Sequence, residues 1–185
     1  EEFERYLEEI PDNVIILFDQ RFVDFSKTDK MRFNPLKYLN RNIIILRSFN
    51  NFYGVENLEN SYLISSDNLS KFINETIVIN PVTKFDDDLM CEVYKDKKYN
   101  NYLIEKMERE KKRIYKKLEH LGINYYKSKT YFMLIEANEK KETIKKKLEN
   151  ENIILYESND QHNMYLTLPL SDRDINDKII DVISN

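Results

Sequence analysis

The side chains that could do chemistry by themselves are few, and their spacing does not favour it. The two histidines, His120 and His162, are far apart in the sequence, so a shared metal or catalytic role would need the fold and further carboxylates to bring them together. The single cysteine, Cys91, has no base close to it in the sequence that would activate its thiol. Three consecutive aspartates, residues 86–88, would point in different directions at the start of a helix and suit a charged first turn better than a divalent cation. We therefore predict no metal site.

Two apolar runs are followed by side chains that could take part in binding. Residues 14–18 precede Asp19, and residues 43–46 are followed two positions later by Ser48. Both runs are short and apolar at every position, which is typical of parallel strands that are buried on both faces. Taken alone, an aspartate at the end of a strand is best explained as a cap for the following turn.

Composition excludes several classes of function. Only two glycines are present, Gly54 and Gly122, so a glycine-rich phosphate loop of the Rossmann or Walker type is impossible. The 33 acidic residues outnumber the 29 basic ones, which argues against a nucleic-acid partner. One cysteine excludes an internal disulfide framework and fits a reducing compartment. No apolar run approaches the roughly 20 residues of a membrane span, and the N-terminus is too acidic for a signal peptide. We expect a soluble, cytoplasmic protein without nucleic-acid or membrane partners.

The elements that must position Asp19 and Ser48 lie in a first, β-containing part of the chain. The patterns predict a helix over residues 3–10, strands over 14–18, 43–46 and 62–64, and a helix from Asp67 to about Ile73. After Pro81 the pattern becomes more helical, with helices predicted over 84–94 and 101–121 and a stop at Gly122.

The second part of the chain alternates strands and helices. Strands are predicted over 124–126, 131–136, 153–156 and 164–168, and helices over 140–149 and 172–183. The charged run at 105–113 is interpreted as a solvated face of the long helix. The chain as a whole is therefore expected to join a β-containing part, through a long helix, to an α+β part.

Three collinear stretches resemble histidinol-phosphate aminotransferases and the related threonine-phosphate decarboxylases. The first is PDNVIILFDQRFVDFS at 11–26, and the second is NIIILRSFNNFYG at 42–54, which continues to the strand at 62–64. The third comprises the helix around Glu108 and Arg109, SKTYFMLI at 128–135 and MYLT at 164–167. Together they run almost the full length. The chain thus resembles the C-terminal part of a fold-type I aminotransferase that depends on pyridoxal phosphate (PLP).

This resemblance implies vestigial cofactor-binding roles for two side chains. In the family, an aspartate at a strand end pairs with the pyridine nitrogen of PLP and keeps it protonated, so that the ring can act as an electron sink. Asp19 occupies the matching position. A family hydroxyl helps to hold the cofactor phosphate, and Ser48 occupies that position.

The residues that the family uses for catalysis are replaced. The family has a Schiff-base lysine three residues after the hydroxyl and a phosphate-binding arginine eight residues later; here these are Asn51 and Glu59. An amide cannot form an imine, and a carboxylate would repel the phosphate. Tyr165 stands where the family binds the substrate carboxylate with an arginine. Three further family positions are also altered, at Phe22, Tyr131 and Tyr156.

The resemblance also implies an α/β fold class: a partial PLP-transferase large-domain sheet over residues 1–83, followed by a long linking helix and an α+β small domain over 84–185. The function expected is that of an aminotransferase-like protein that is inactive in transamination, without PLP of its own. The alternative is that a missing half or a partner completes a working PLP enzyme. Because the resemblance begins about halfway along a typical family member, a sheet edge would be open, and we expect a homodimer or a partner protein to bind through residues 1–80.

Overall fold

The structure is a computed structural model that describes residues 2–26, 34–58, 60–77, 81–155, 163–167 and 172–184. The chain forms two compact units, Glu1–Asn100 and Asn101–Asn185, which we call the first and the second unit. The predicted domain boundary between residues 83 and 84 lies earlier in the chain than the division between these two units. It falls at the start of the helix Lys84–Lys95, which belongs to the first unit. As a boundary between aminotransferase domains it stays a prediction.

The first unit is built on a three-stranded sheet. The strands are β1 (Ile16–Asp19), β2 (Ile43–Ser48) and β3 (Ser61–Ile64), and the helices are α1 (Glu2–Glu9), α2 (Asp67–Thr76) and α3 (Lys84–Lys95). β1 is parallel to β2 and β3 is antiparallel to it, so that the order is β1-β2-β3. The parallel pairing confirms the relation expected from the two apolar runs.

The two faces of this sheet differ in their environment. On the covered face, Ile43 and Ile45 are fully buried against Leu7 of α1. The other residues packed on this face come from α1, β1, β3 and the segment that precedes β2: Phe3, Ile16, Phe18, Tyr38, Leu39 and Ile64. Side chains alternate along a strand, so the opposite, open face carries Leu17, Ile44, Leu46 and Leu63, which the strand register places side by side.

The expectation that the first apolar run is buried on both faces is wrong. Leu17 is 58% exposed and Ile15 is 52% exposed, because α1 packs against the covered face instead. On the neighbouring strands Ile44, Leu46 and Leu63 are half-buried. The sequence therefore carries an apolar surface that the described part of the chain leaves uncovered.

The second unit contains an antiparallel sheet with helices on one face. Its elements are β4 (Tyr125–Tyr126), β5 (Phe132–Glu136), α5 (Lys141–Asn150), β6 (Asn163–Thr167) and α6 (Arg173–Ser184), and most of α4 (Lys97–His120) belongs to it. The strand order is β4-β5-β6. The core joins helix and strand residues that are almost fully buried: Ile114, Leu118, Met133, Ile135, Ile144, Leu148, Met164, Ile179, Ile180 and Ile183. In the part of the chain that the structure describes, none of the helices has the length and apolar composition that a membrane span needs.

The strand expected over residues 153–156 is not formed at residues 153–155, and Tyr156 lies outside the described residues. Asn152 adopts a left-handed backbone with φ 57°, and the Ile153 amide donates to the Leu148 carbonyl at 2.8 Å. This hydrogen bond closes the end of α5 and directs the chain away from an extended conformation. Ile153 and Leu155 still pack against the core, which explains their apolar character.

Two predictions about the long helix are also corrected. α4 begins at Lys97 rather than at residue 101, because the Asp96 carboxylate accepts a hydrogen bond from the Tyr99 amide at 2.9 Å and caps its first turn. The charged run is not entirely solvated. Lys111 is only 1% exposed, and Arg113 binds both Glu110 and Asp177 at 2.5 Å.

Gly122 ends α4 with a left-handed backbone at φ 66°, and the next amide, of Ile123, donates to the Leu118 carbonyl at 2.9 Å. We expect Gly122→Ala to lower the free energy of unfolding by about 1 kcal/mol, because a Cβ atom disfavours this conformation. Urea denaturation would measure the change, with Lys116→Ala at an exposed position of the same helix as the control. Equal stability of the two variants would show that the left-handed turn does not require glycine.

Candidate functional site

The two predicted cofactor-binding residues lie at one edge of the sheet in the first unit. Asp19 is the last residue of β1 and Ser48 is the last residue of β2. Because these strands are parallel, their carboxyl ends meet at the same edge, where ligands of α/β sheets commonly bind. Ser48 is buried, whereas the Asp19 side chain is 44% exposed.

Asp19 already has a cationic partner within its own turn. The Nε and Nη2 atoms of Arg21 donate to both carboxylate oxygens at 2.6–3.0 Å, and the Arg21 backbone amide donates to Oδ1 at 3.0 Å. The guanidinium hydrogen bonds hold the pKa of Asp19 below its usual range. This role of Arg21 was not predicted; its signal in the sequence is an arginine two residues after a strand-end aspartate.

The Ser48 hydroxyl is used to shape the turn that follows β2. It accepts a hydrogen bond from the Asn50 amide at 3.1 Å and donates to the Asn60 carbonyl at 3.5 Å. Asn51, which the resemblance places at the position of the family lysine, is half-buried in this turn, close in sequence to Ser48. The turn therefore brings Asn51 to the same edge of the sheet as Asp19 and Ser48.

Two other positions singled out by the resemblance, 59 and 165, do not belong to the described part of this sheet edge. Glu59 lies outside the described residues. Tyr165 belongs to β6 of the second unit, where its backbone is paired with Leu134 of β5; its side chain lies outside the description.

A second polar cluster, which was not predicted from the sequence, lies beside the same turn. The Tyr53 hydroxyl donates to the Asp24 carboxylate, and Tyr53 is 8% exposed. Burial raises the pKa of Asp24, while the positive charges of Arg47 and Lys97 act in the opposite direction. Burial also raises the pKa of Tyr53. This contact ties the short helix after β1 (Val23–Phe25) to the turn after β2.

The opposite environments of the two aspartates can be measured. We expect Asp24 to titrate above and Asp19 below the usual range of aspartate, and Arg47→Gln to raise the pKa of Asp24 further without moving that of Asp19. NMR detection of side-chain carboxyl carbons during a pH titration would give both values. If Arg47→Gln shifted the pKa of Asp19 as much as the pKa of Asp24, the substitution would have caused a general loss of structure.

The same shifts have opposite effects on stability. The pKa of Asp19 is lowered on folding. Its contribution to the free energy of unfolding is therefore present above the unfolded pKa of aspartate and is lost as pH falls through the folded pKa. For Asp24, whose pKa is raised, stability is lost as pH rises from the unfolded pKa through the folded one.

Buried polar atoms without a hydrogen-bond partner surround the edge. They are Gln20 Oε1, Arg47 Nε, Asn50 Oδ1 and Asn60 Nδ2. An unsatisfied buried polar group costs about 1–3 kcal/mol. Two are acceptors and two are donors, so polar groups from water or from another polypeptide would stabilise this end of the sheet.

The sequence is similar to histidinol-phosphate aminotransferases. Histidinol-phosphate aminotransferase 2 of Carboxydothermus hydrogenoformans is 24% identical over 138 residues, which are 74% of this chain and 38% of that protein. The Archaeoglobus fulgidus protein of the same name is 23% identical over 171 residues, which are 91% of this chain and 48% of that protein. The chain matches no protein-family model.

Solved aminotransferases share the fold. The histidinol-phosphate aminotransferase of Clostridium acetobutylicum superposes with a TM-score of 0.82 at 18% identity, over 98% of this chain and 56% of that one. The Sinorhizobium meliloti enzyme, solved in complex with pyridoxal-5'-phosphate, gives 0.77 at 16% identity, over 99% and 50%. The chain is aminotransferase-like. The predicted family resemblance and α/β fold class are confirmed.

The aminotransferase-like chain spans about half the length of the solved structures and between about a third and a half of the curated relatives. PLP is the cofactor that this resemblance suggests. The described residues do not fit it as a catalytic group. Asn51 offers an amide instead of an amine, the Asp19 carboxylate is bound to Arg21, and the Ser48 hydroxyl is bound within its turn. Among the described residues, no cluster of three or more His, Cys, Asp or Glu side chains could hold a metal ion.

Proposed function

We propose that this chain is a non-catalytic aminotransferase-like module with a structural, regulatory or partner-binding role. The observation that carries the proposal is Asn51 at the position of the Schiff-base lysine. Catalysis in this family needs an amine there to bond the cofactor, and an amide nitrogen is neither nucleophilic nor basic enough.

The surroundings of Asp19 support the same proposal. Its two oxygens form a fork with Arg21, so the pyridine nitrogen of a cofactor would have to displace a charged partner before it could use this carboxylate. The pair is exposed, and its strength in water is therefore modest. The loss of the amine remains the decisive change. We also propose a cytoplasmic location, with which the free, exposed Cys91 agrees.

A second candidate function is membership of a working PLP enzyme whose other half or partner completes the site. It is favoured by the positions of Asp19 and Ser48 at one sheet edge and by the unpartnered buried atoms around them. In that case the amine would have to come from the other polypeptide.

A visible absorption spectrum of the purified protein with added PLP tests the proposal. For a non-catalytic module we expect the spectrum of free PLP, and no new band that an added amine removes. A protein-bound imine band that disappears when an amine substrate is added would contradict our proposal.

A further inference from the structure

The second unit contains a cavity of about 610 Å³ beside the C-terminal end of α4. Its walls are the turn after α4 (residues 121–124), the end of β5 with the turn that follows (residues 136–140), and one side chain each from α5 and α6, Ile144 and Ile183. The candidate site described above belongs to the first unit, whereas every wall of this cavity belongs to the second. The volume is sufficient for a small organic molecule.

The floor of the cavity is apolar. Ala137, Ile144 and Ile183 line it, and each is only 5–6% exposed because it belongs to the core of the second unit. Ile123 lines the cavity from the turn after α4 and packs against the same core. A short hydrocarbon group placed on this floor would leave water for an apolar surface, which is favourable.

The rim of the cavity carries more negative than positive charge. Asn124 Nδ2 donates to Glu136 Oε2 at 2.7 Å, which fixes this carboxylate and leaves Oε1 without a donor among the described residues. Glu139 also lines the cavity and forms no ion pair within the described part of the chain. Lys140 is the only cationic side chain among the described residues of the lining. The C-terminal end of α4, a helix of 24 residues, adds the partial negative charge of its dipole.

This lining selects among classes of ligand. An anion would face two carboxylates and only one ammonium group, so like charges would repel it. A divalent cation takes about six oxygen ligands, and the described residues contain no cluster of three His, Cys, Asp or Glu side chains to supply them. A neutral apolar molecule would remove water from the carboxylates without replacing its hydrogen bonds. A monocation that carries N–H donors and a hydrocarbon group matches both the rim and the floor.

We propose that this cavity binds a primary organic amine in its protonated form. The ammonium group donates to Glu136 Oε1 and is attracted by Glu139, while the hydrocarbon group packs on Ile144 and Ile183. This ligand site is additional to the non-catalytic role proposed above. It depends neither on PLP nor on the residue at position 51, so the two proposals can fail separately.

Titration of the full chain with n-butylammonium chloride, followed by ¹H–¹⁵N NMR, tests the proposal. We expect saturable shifts of three backbone amides in the cavity wall, those of Gly122, Asn124 and Ala137. The affinity for 1-butanol and for butyrate should be at least about tenfold lower, because neither carries a positive charge. The affinity for methylammonium should also be at least about tenfold lower, because it lacks three CH₂ groups. An amine-free buffer at constant ionic strength avoids competition and differences in screening.

Two variants that each remove one negative charge separate the cavity from the overall charge of the protein. Glu136→Gln keeps an oxygen for Asn124, and it should weaken n-butylammonium binding at least about tenfold without changing the affinity for 1-butanol. Glu142→Gln, at an exposed residue of α5 outside the lining, should leave both affinities within about twofold. Equal weakening by the two variants would overturn the proposal. Equal binding of n-butylammonium and either 1-butanol or methylammonium would overturn it too, as would the absence of shifts at the three amides.

Discussion

Ile114→Ala is expected to lower the free energy of unfolding of the second unit by about 3–4 kcal/mol. Ile114 is fully buried in α4 and belongs to the core cluster with Leu118 and Met133. The substitution removes buried methylene and methyl groups and leaves a cavity that the surrounding residues fill incompletely, and such changes typically cost about 2–5 kcal/mol. Urea unfolding can be followed by near-UV circular dichroism, since Tyr115 and Tyr125 are stacked at 4.6 Å beside this core.

Ile154→Ala is the matched control, because it removes the same atoms from a side chain that is 88% exposed. Its effect should stay within about 0.5 kcal/mol. If the two variants were equally stable, Ile114 could not be at the centre of the core. A larger loss in Ile154→Ala than in Ile114→Ala would mean that residues 151–155 are packed differently from the structure.

The core of the second unit could be predicted well because its apolar residues recur at helical spacing. Five apolar residues recur at helical spacing in the long helix: Leu103, Met107, Ile114, Leu118 and Leu121. The first four are buried, whereas Leu121, which follows the last helical residue, is 41% exposed. Periodicity reports which side of a helix avoids water, so it predicts burial without any knowledge of the neighbouring elements.

Contacts that depend on a distant part of the chain could not be predicted in this way. Lys111 stands in a highly charged run, yet its Nζ donates to the Ser128 carbonyl at 3.0 Å and pairs with Glu108 at 2.7 Å. A buried lysine is stable only with such partners, and the sequence pattern does not reveal them. The predicted strand at 153–156 was wrong at its described residues for a similar reason, because the turn at Asn152 decides the local conformation.

At the candidate site, the family resemblance selected Asp19 and Ser48 as candidate cofactor-binding residues. The parallel pairing of β1 and β2 places both residues at one edge of the sheet. Their hydrogen bonds were beyond prediction. The fork between Asp19 and Arg21 and the contact between Tyr53 and Asp24 depend on side-chain conformations that neither spacing nor composition determines.

Asn51→Lys alone is expected to give no measurable transamination. A lysine at residue 51 would restore the missing amine, but it could react with PLP only if the cofactor were already anchored. Anchoring in the family depends mainly on the phosphate, and the resemblance places Glu59 where the family has the arginine that binds it. By analogy with broken charge pairs, a repelling charge in place of a bidentate pair costs on the order of 3–5 kcal/mol. This corresponds to an affinity lower by about a hundredfold to a few thousandfold.

Orientation of the substrate would still be missing in the single variant. The resemblance places Tyr165 where the family has the arginine that clamps the substrate carboxylate. A misplaced substrate typically reacts about a hundredfold more slowly. The smallest set of changes that we expect to form any lysine-linked cofactor is Asn51→Lys with Glu59→Arg and Tyr165→Arg. Even this triple variant should need the other half of the fold.

The measurement compares the single and triple variants, each with and without the part of the Clostridium acetobutylicum histidinol-phosphate aminotransferase that this chain does not match. Transamination of a phosphorylated amino substrate is assayed first, and the protein is then reduced with borohydride and analysed by mass spectrometry for a cofactor bound to a lysine. We expect no adduct at residue 51 in the single variant and an adduct only in the triple variant with the added half. Asn51→Gln controls for the change in side-chain size without an amine. Turnover by Asn51→Lys alone would mean that the phosphate and carboxylate are bound by residues other than those at positions 59 and 165. The proposal that this chain is a non-catalytic module would then be wrong, because the chain would differ from an active enzyme only by one amine.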